Sequence, residues 1–140
     1  MNHMLQFNSL TVGTALPTRT YAATAVSLFL YNAVIWNAHR IHYDEPYTTA
    51  VEHHPGVVID GPLQGDWLSQ VALDWIGTDG ELLEFEYSNR RASYLGQRLT
   101  AGGRIVALDP AARSVTLELA IRDDRDQITT PGRALVRLHH

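Results

Sequence analysis

The strongest periodic signal begins at Pro62, where Leu63, Trp67, Val71 and Trp75 recur every four residues with Leu68, Ala72 and Ile76 beside them. That spacing predicts a long helix with a wide apolar face. Proline suits the first helical turn, where its missing N–H is not needed, and Gly77 is placed to close the helix. Upstream, Val26, Phe29, Leu30, Ala33 and Val34 also recur at near-helical intervals. They predict a second helix within residues 22–36, capped by Thr24 or Ser27 and broken near Asn37. Residues 8–16 are small and β-branched, as in a short strand or extended lead-in. Residues 44–57, with Pro46 and His53-His54-Pro55-Gly56, are expected to be irregular. Val57-Val58-Ile59 is a short apolar run expected to be buried.

The second half of the chain alternates. Over residues 81–89, Leu83, Phe85 and Tyr87 fall on one face and Glu84, Glu86 and Ser88 on the other. Residues 97–108 form a further strand ended by Asp109-Pro110. Residues 114–122 alternate through Val115, Leu117, Leu119 and Ile121, and a charged turn at 123–126 precedes a last strand over 132–138. The plan is an α+β domain in which one dominant helix is followed by an antiparallel meander.

Length and composition narrow the class. The 140 residues fit one domain, residues 1–140, with 45% hydrophobic and 19% charged positions. A net charge of −4 argues against a general nucleic-acid binder. Without cysteine there are no disulfides, no thiolate chemistry and no Cys-based zinc site. The opening residues lack the basic and apolar regions of a signal peptide, and no apolar run is long enough to span a bilayer. The expectation is a cytoplasmic protein without nucleic-acid or membrane partners. His139-His140 is assigned no role.

Candidate chemistry lies in two segments. Residues 36–44 read Trp-Asn-Ala-His-Arg-Ile-His-Tyr-Asp, a polar turn able to supply a base. Asp60-Gly61-Pro62-Leu63 opens the long helix and is able to supply backbone N–H groups to a developing oxyanion. His53-His54 is a poor metal site, because adjacent residues in an extended segment point apart and no carboxylates cluster nearby.

Together the long helix, the antiparallel strands and these two segments resemble the MaoC-like hydratase and dehydratase family, which has the hotdog fold. The family motif Asp-x-Asn-Pro-x-His is matched by Asn37-Ala38-His39-Arg40-Ile41-His42, and the family's His-Gly-Met helix head by Asp60-Gly61-Pro62. Residues 90–99 resemble the family's strand-turn-strand before its penultimate strands. The resemblance covers roughly residues 10–138, and the wording of the turn is closest to the hydroxyacyl-thioester dehydratase and mesaconyl-CoA hydratase branch.

The resemblance implies that His42 is the acid/base and that Gly61 donates its N–H to the thioester oxygen, with Leu63 as a second donor. One departure stands out. Asn37 occupies the family's catalytic Asp position and cannot titrate, which leaves it to hold water or cap the preceding helix. His39 is then a replacement titratable group, a partner that fixes the tautomer of His42, or a solvent-facing residue. Arg40 is a candidate for a coenzyme A phosphate. Trp67 is read first as core, with the first helical turns as a candidate wall of an acyl tunnel. Asp44 is expected to end the turn or to cap a following one.

The implied activity is reversible hydration of a trans-2-enoyl thioester carried by coenzyme A or a carrier protein. No metal or redox cofactor is implied, since coenzyme A or phosphopantetheine is part of the substrate. The implied assembly is a homodimer, or a heterodimer with a second hotdog subunit. Two alternatives stay open: a non-catalytic acyl-thioester binding or dimerisation subunit, and a hotdog thioesterase.

Overall fold

The computed structural model describes residues 4–140. A 3-10 turn, Phe7–Ser9, leads through extended chain to strand β1, Arg19–Tyr21. The lead-in bonds the 103–105 segment through Gly13, Thr14 and Leu16, with a bridge between Ala15 and Arg104. Helix α1, Ala25–Ile35, is opened by a reciprocal capping box in which both expected residues take part, Thr24 and Ser27 each bonding the other's backbone N–H. A second 3-10 turn, Arg40–His42, is followed by helix α2, Glu45–Ala50. The expectation of irregular chain there is corrected: Asp44 accepts from the Tyr47 N–H, and Pro46 sits in the first turn.

Helix α3, Gly61–Ile76, is the long central helix. It packs against a five-stranded antiparallel sheet made of β1, β2 (Gly80–Tyr87), β3 (Leu99–Asp109), β4 (Ser114–Arg122) and β5 (Ile128–Leu138), in the order β1-β3-β4-β5-β2. Leu68, Val71, Ala72 and Ile76 of α3 are buried against Val115, Leu117, Leu119 and Ile121 of β4 and Ala134, Val136 and Leu138 of β5. Trp67 and Trp75 are half-buried at the margin of this core. Gly65 permits contact with the sheet, since a Cβ there would overlap the Tyr87 ring. The expected arrangement of a helix wrapped by a curled antiparallel sheet is therefore present.

Three features depart from a simple reading of the sequence pattern. The apolar stripe of α1 faces outward: Val26, Phe29, Leu30 and Val34 are exposed, while Leu28 and Asn32 are buried. In β2 the simple alternation is broken by a register shift between Leu82 and Glu84. Leu82 and Phe85 pack on the core and Leu83 is exposed. Residues 90–98 form no strand-turn-strand. Instead, Ser93 and Leu95 bond the 57–59 segment, with one bridge between Val58 and Tyr94. This lacing holds Val57, Val58 and Ile59 in the core and fixes the approach to the head of α3.

Candidate active site

Helix α1 ends on Trp36, the residue in the left-handed conformation with φ 57°. The expectation of such a cap at Asn37 is thus displaced by one residue, which frees the Asn37 side chain. Its Nδ2 donates to Asp60 Oδ2 at 3.2 Å, while its Oδ1 accepts from the His39 N–H at 3.1 Å. Asn37 thereby ties the turn to the head of the central helix.

His42 lies at the end of the 3-10 turn and is 8% exposed. Its Nδ1 is 2.8 Å from the Val58 carbonyl, an acceptor only, so Nδ1 carries the proton and donates. The other ring nitrogen, Nε2, lies 3.4 Å from Asp60 Oδ2. His39 is exposed, and its ring meets that of His42 edge-on at 5.8 Å. The turn therefore brings the two histidines together, with only His42 built into the interior.

Asp60 is fully buried, and among the described residues it is the one Asp or Glu in that condition. It stands at the N-cap of α3, yet its side chain caps nothing. Oδ1 accepts from Asn32 Nδ2 at 2.9 Å, and Oδ2 accepts from Asn37. Asn32 donates its other hydrogen to the Leu28 carbonyl at 2.8 Å and leaves its own buried Oδ1 without a partner. Sequence reasoning gives neither Asp60 nor Asn32 a chemical role. An Asp before a helix reads as a cap, and an Asn in an apolar helix carries no chemical signature by itself.

Because Asp60 turns away from the helix, the Gly61 N–H makes no hydrogen bond among the described residues, and neither does that of Leu63. Pro62 has none to make. The head of α3 thus offers two free donors at the positive end of the helix dipole. Gly61 lies hard against Asn89, whose Nδ2 would overlap any Cβ at position 61. Asn89 is in turn held by Thr130, which also bonds Gln64. Tyr31 lies on the same side. Its phenol is pushed up to about 12 by burial, then by the charges of Asp66 and Asp60, so it stays protonated through the neutral range.

The other candidates are placed differently. Arg40 donates to Asp44 at 2.6 and 2.9 Å and lies 4.0 Å over the Tyr47 ring. Trp67 stacks on Tyr21 with ring centres 4.6 Å apart, and Leu63 packs against the core. An apolar recess of about 340 Å³ opens over Asn32 and Asn37, walled by Phe29, Ala33, Trp36 and Tyr43. A larger groove of about 990 Å³ runs along the sheet and is lined by none of these site residues. Among the described residues, no cluster of three or more His, Asp or Glu is placed to hold a metal ion, and no helix is long and apolar enough to cross a membrane.

Comparison with known proteins gives concordant matches. The family model for hydroxyacyl-thioester dehydratase type 2 matches residues 9–114. A mesaconyl-C(4)-CoA hydratase of Chloroflexus aurantiacus is 46% identical over 55 residues, which is 39% of this chain and 20% of that protein. Among solved structures, an (R)-hydratase from A. caviae superposes with a TM-score of 0.84 at 20% identity, covering 93% of this chain and 98% of that one. The ChsH1-ChsH2 complex from Mycobacterium tuberculosis gives 0.81 at 12% identity, covering 92% and 98%. These structural matches identify the architecture as the hotdog fold.

Proposed function

Because the chain belongs to the hydroxyacyl-thioester dehydratase type 2 family, we propose that it adds water reversibly to a trans-2-enoyl thioester of coenzyme A or a carrier protein. The observation that carries this reading is a buried, tautomer-fixed His42 lying 3.4 Å from Asp60, the residue that precedes the free N–H groups at the head of α3. In the hydration direction, a water oxygen bonds the β-carbon and its proton passes to His42 Nε2. The π electrons move onto the thioester oxygen, where the helix-head N–H groups receive the charge. His42 then returns the proton to the α-carbon, so the protein ends as it began. Asn37 orients the turn, and the recess beside Phe29 and Trp36 receives the acyl group.

A thioesterase would need a carboxylate able to address water directly. Of the nearby carboxylates, Asp60 has no exposed surface and Asp44 is paired with Arg40, which favours the hydratase. We also propose a cytoplasmic assembly of two hotdog units, either two copies or this chain with a different subunit. The open edge of β2 and the uncovered apolar face of α1 both support pairing. In the second arrangement the chain alone would bind thioester without turning it over.

The test is loss of the conjugated enoyl absorbance of crotonyl-CoA and mesaconyl-CoA, with wild type and His42→Ala in parallel. Loss with wild type alone supports the reading. Silence from wild type, alone and co-expressed with a second hotdog subunit, sinks it.

A further inference from the structure

We propose that Asp60 is the positioning residue of His42, so that the helix head supplies a carboxylate beside His42 in a chain that carries Asn37 where the family motif has Asp. This rests on the hydratase reading above. The geometry is specific to charge. Oδ2 lies 3.4 Å from His42 Nε2, within ion-pair range but without forming a hydrogen bond to it, and the opposite ring nitrogen is pinned to Val58, so the ring cannot turn away without breaking that bond. When His42 takes a proton from water, the new positive charge forms on a ring that is almost wholly buried. Asp60 is the counter-ion already in place there, while a buried imidazolium without one would be strongly disfavoured.

The surrounding polar groups are arranged around this carboxylate. An Asp at the N-cap position ordinarily accepts from the N–H groups of the first turn. Asp60 accepts instead from two asparagine side chains, which aim one oxygen at Asn32 and the other at Asn37 and His42. Asn32 does this although its own carbonyl oxygen is left buried and unpaired, a cost that packing alone gives no reason to retain. With no exposed surface, Asp60 does not touch substrate and acts through His42.

The test compares Asp60→Asn with the double variant Asn37→Asp/Asp60→Asn. The double variant keeps the bonds to Asn32, between residues 37 and 60, and to the His39 N–H, and it places an amide N–H in place of a carboxylate oxygen beside His42 Nε2. The side chain at 60 still accepts from Asn32 and now donates to the carboxylate at 37, which still accepts from the His39 N–H. The charge moves away from His42 Nε2 to position 37, where the family motif has its Asp, so the double variant serves as the control for stability and Asp60→Asn as the test of turnover. The expected result is a double variant that melts close to wild type, and an Asp60→Asn variant with KM within about 3-fold and kcat reduced about 10²-fold or more. The ¹⁵N resonance of His42 Nε2, identified by its loss in His42→Ala, should be displaced in both variants. That signal is read whether or not the wild type turns over an enoyl thioester. An inactive wild type would therefore refute the hydratase reading without hiding the result for Asp60. Unchanged kcat in Asp60→Asn, or an unmoved Nε2 resonance in it, would overturn the proposal.

Discussion

Gly61 and Asn89 are in contact so close that a single methyl group on Gly61 would overlap the Asn89 amide. The contact places a loop from the end of β2 directly on the head of the central helix, so a side chain at position 61 requires Asn89 to move. Gly61→Ala should force Asn89 off Thr130 and shift the first turn of α3. Overpacking of this kind costs about 1–3 kcal/mol. A lower denaturation midpoint should accompany a fall in kcat larger than any rise in KM, since a displaced N–H fails chiefly the charged intermediate. A Gly61→Ala enzyme with wild-type stability and turnover would contradict both effects.

His42→Ala should reduce turnover by about 10²-fold or more while leaving thioester binding intact. Its ring contributes one backbone contact to Val58, so the fold should survive with a modest loss of stability. Titration of a non-reactive thioester analogue by calorimetry separates the two functions. Loss of binding together with turnover would mean that the ring supports the pocket rather than the chemistry.

Asn32→Leu should destabilise the protein despite improving the apolarity of α1. It removes one of the two amides on a fully buried carboxylate, and an unsatisfied buried acceptor costs about 1–3 kcal/mol or more when charged. Urea denaturation at neutral pH measures it. Unchanged stability would show that Asp60 is solvated or neutralised by another route.

Asp44 supplies a pH-dependent contribution at the edge of the site. Its carboxylate is held below the ordinary value first by the Arg40 guanidinium and then by the Tyr47 N–H. A depressed carboxylate stabilises the fold above its unfolded value near 3.8, and that contribution is lost as pH falls through the lower folded value. The pair is exposed, so the effect should be small and weaken with salt. Melting curves of Asp44→Asn should lie slightly below wild type at pH 7 and converge with it in strong acid. A gap that persists below pH 3 would assign the difference to packing.

Much of the architecture was readable along the chain, and the reasons differ by element. Leu63, Trp67, Val71 and Trp75 announced α3 because a helix facing one sheet repeats every turn, and strand β4 alternates cleanly because its inner face lies on that helix. The stripe of α1 was equally visible but its direction was not, since periodicity identifies a face without saying what covers it. Helix α2 was hidden by its length of six residues and by Pro46. In the candidate site, His42, Asn37 and Gly61 were singled out by their motifs, and the fold brings His42 and Asn37 to Asp60 at the head of α3. Asp60 was not assigned a role, because its partners Asn32 and Asn37 lie 28 and 23 residues upstream and only the fold brings them to it.

The uncapped start of α3 has a consequence for the empty protein. A helix whose first N–H groups have no acceptor is, at that end, unfinished, and the thioester oxygen of a bound substrate would complete it. Ligand and fold are then coupled at one turn. Hydrogen exchange at Gly61 and Leu63 should slow on saturation with a thioester, and the enzyme should be sturdiest when occupied.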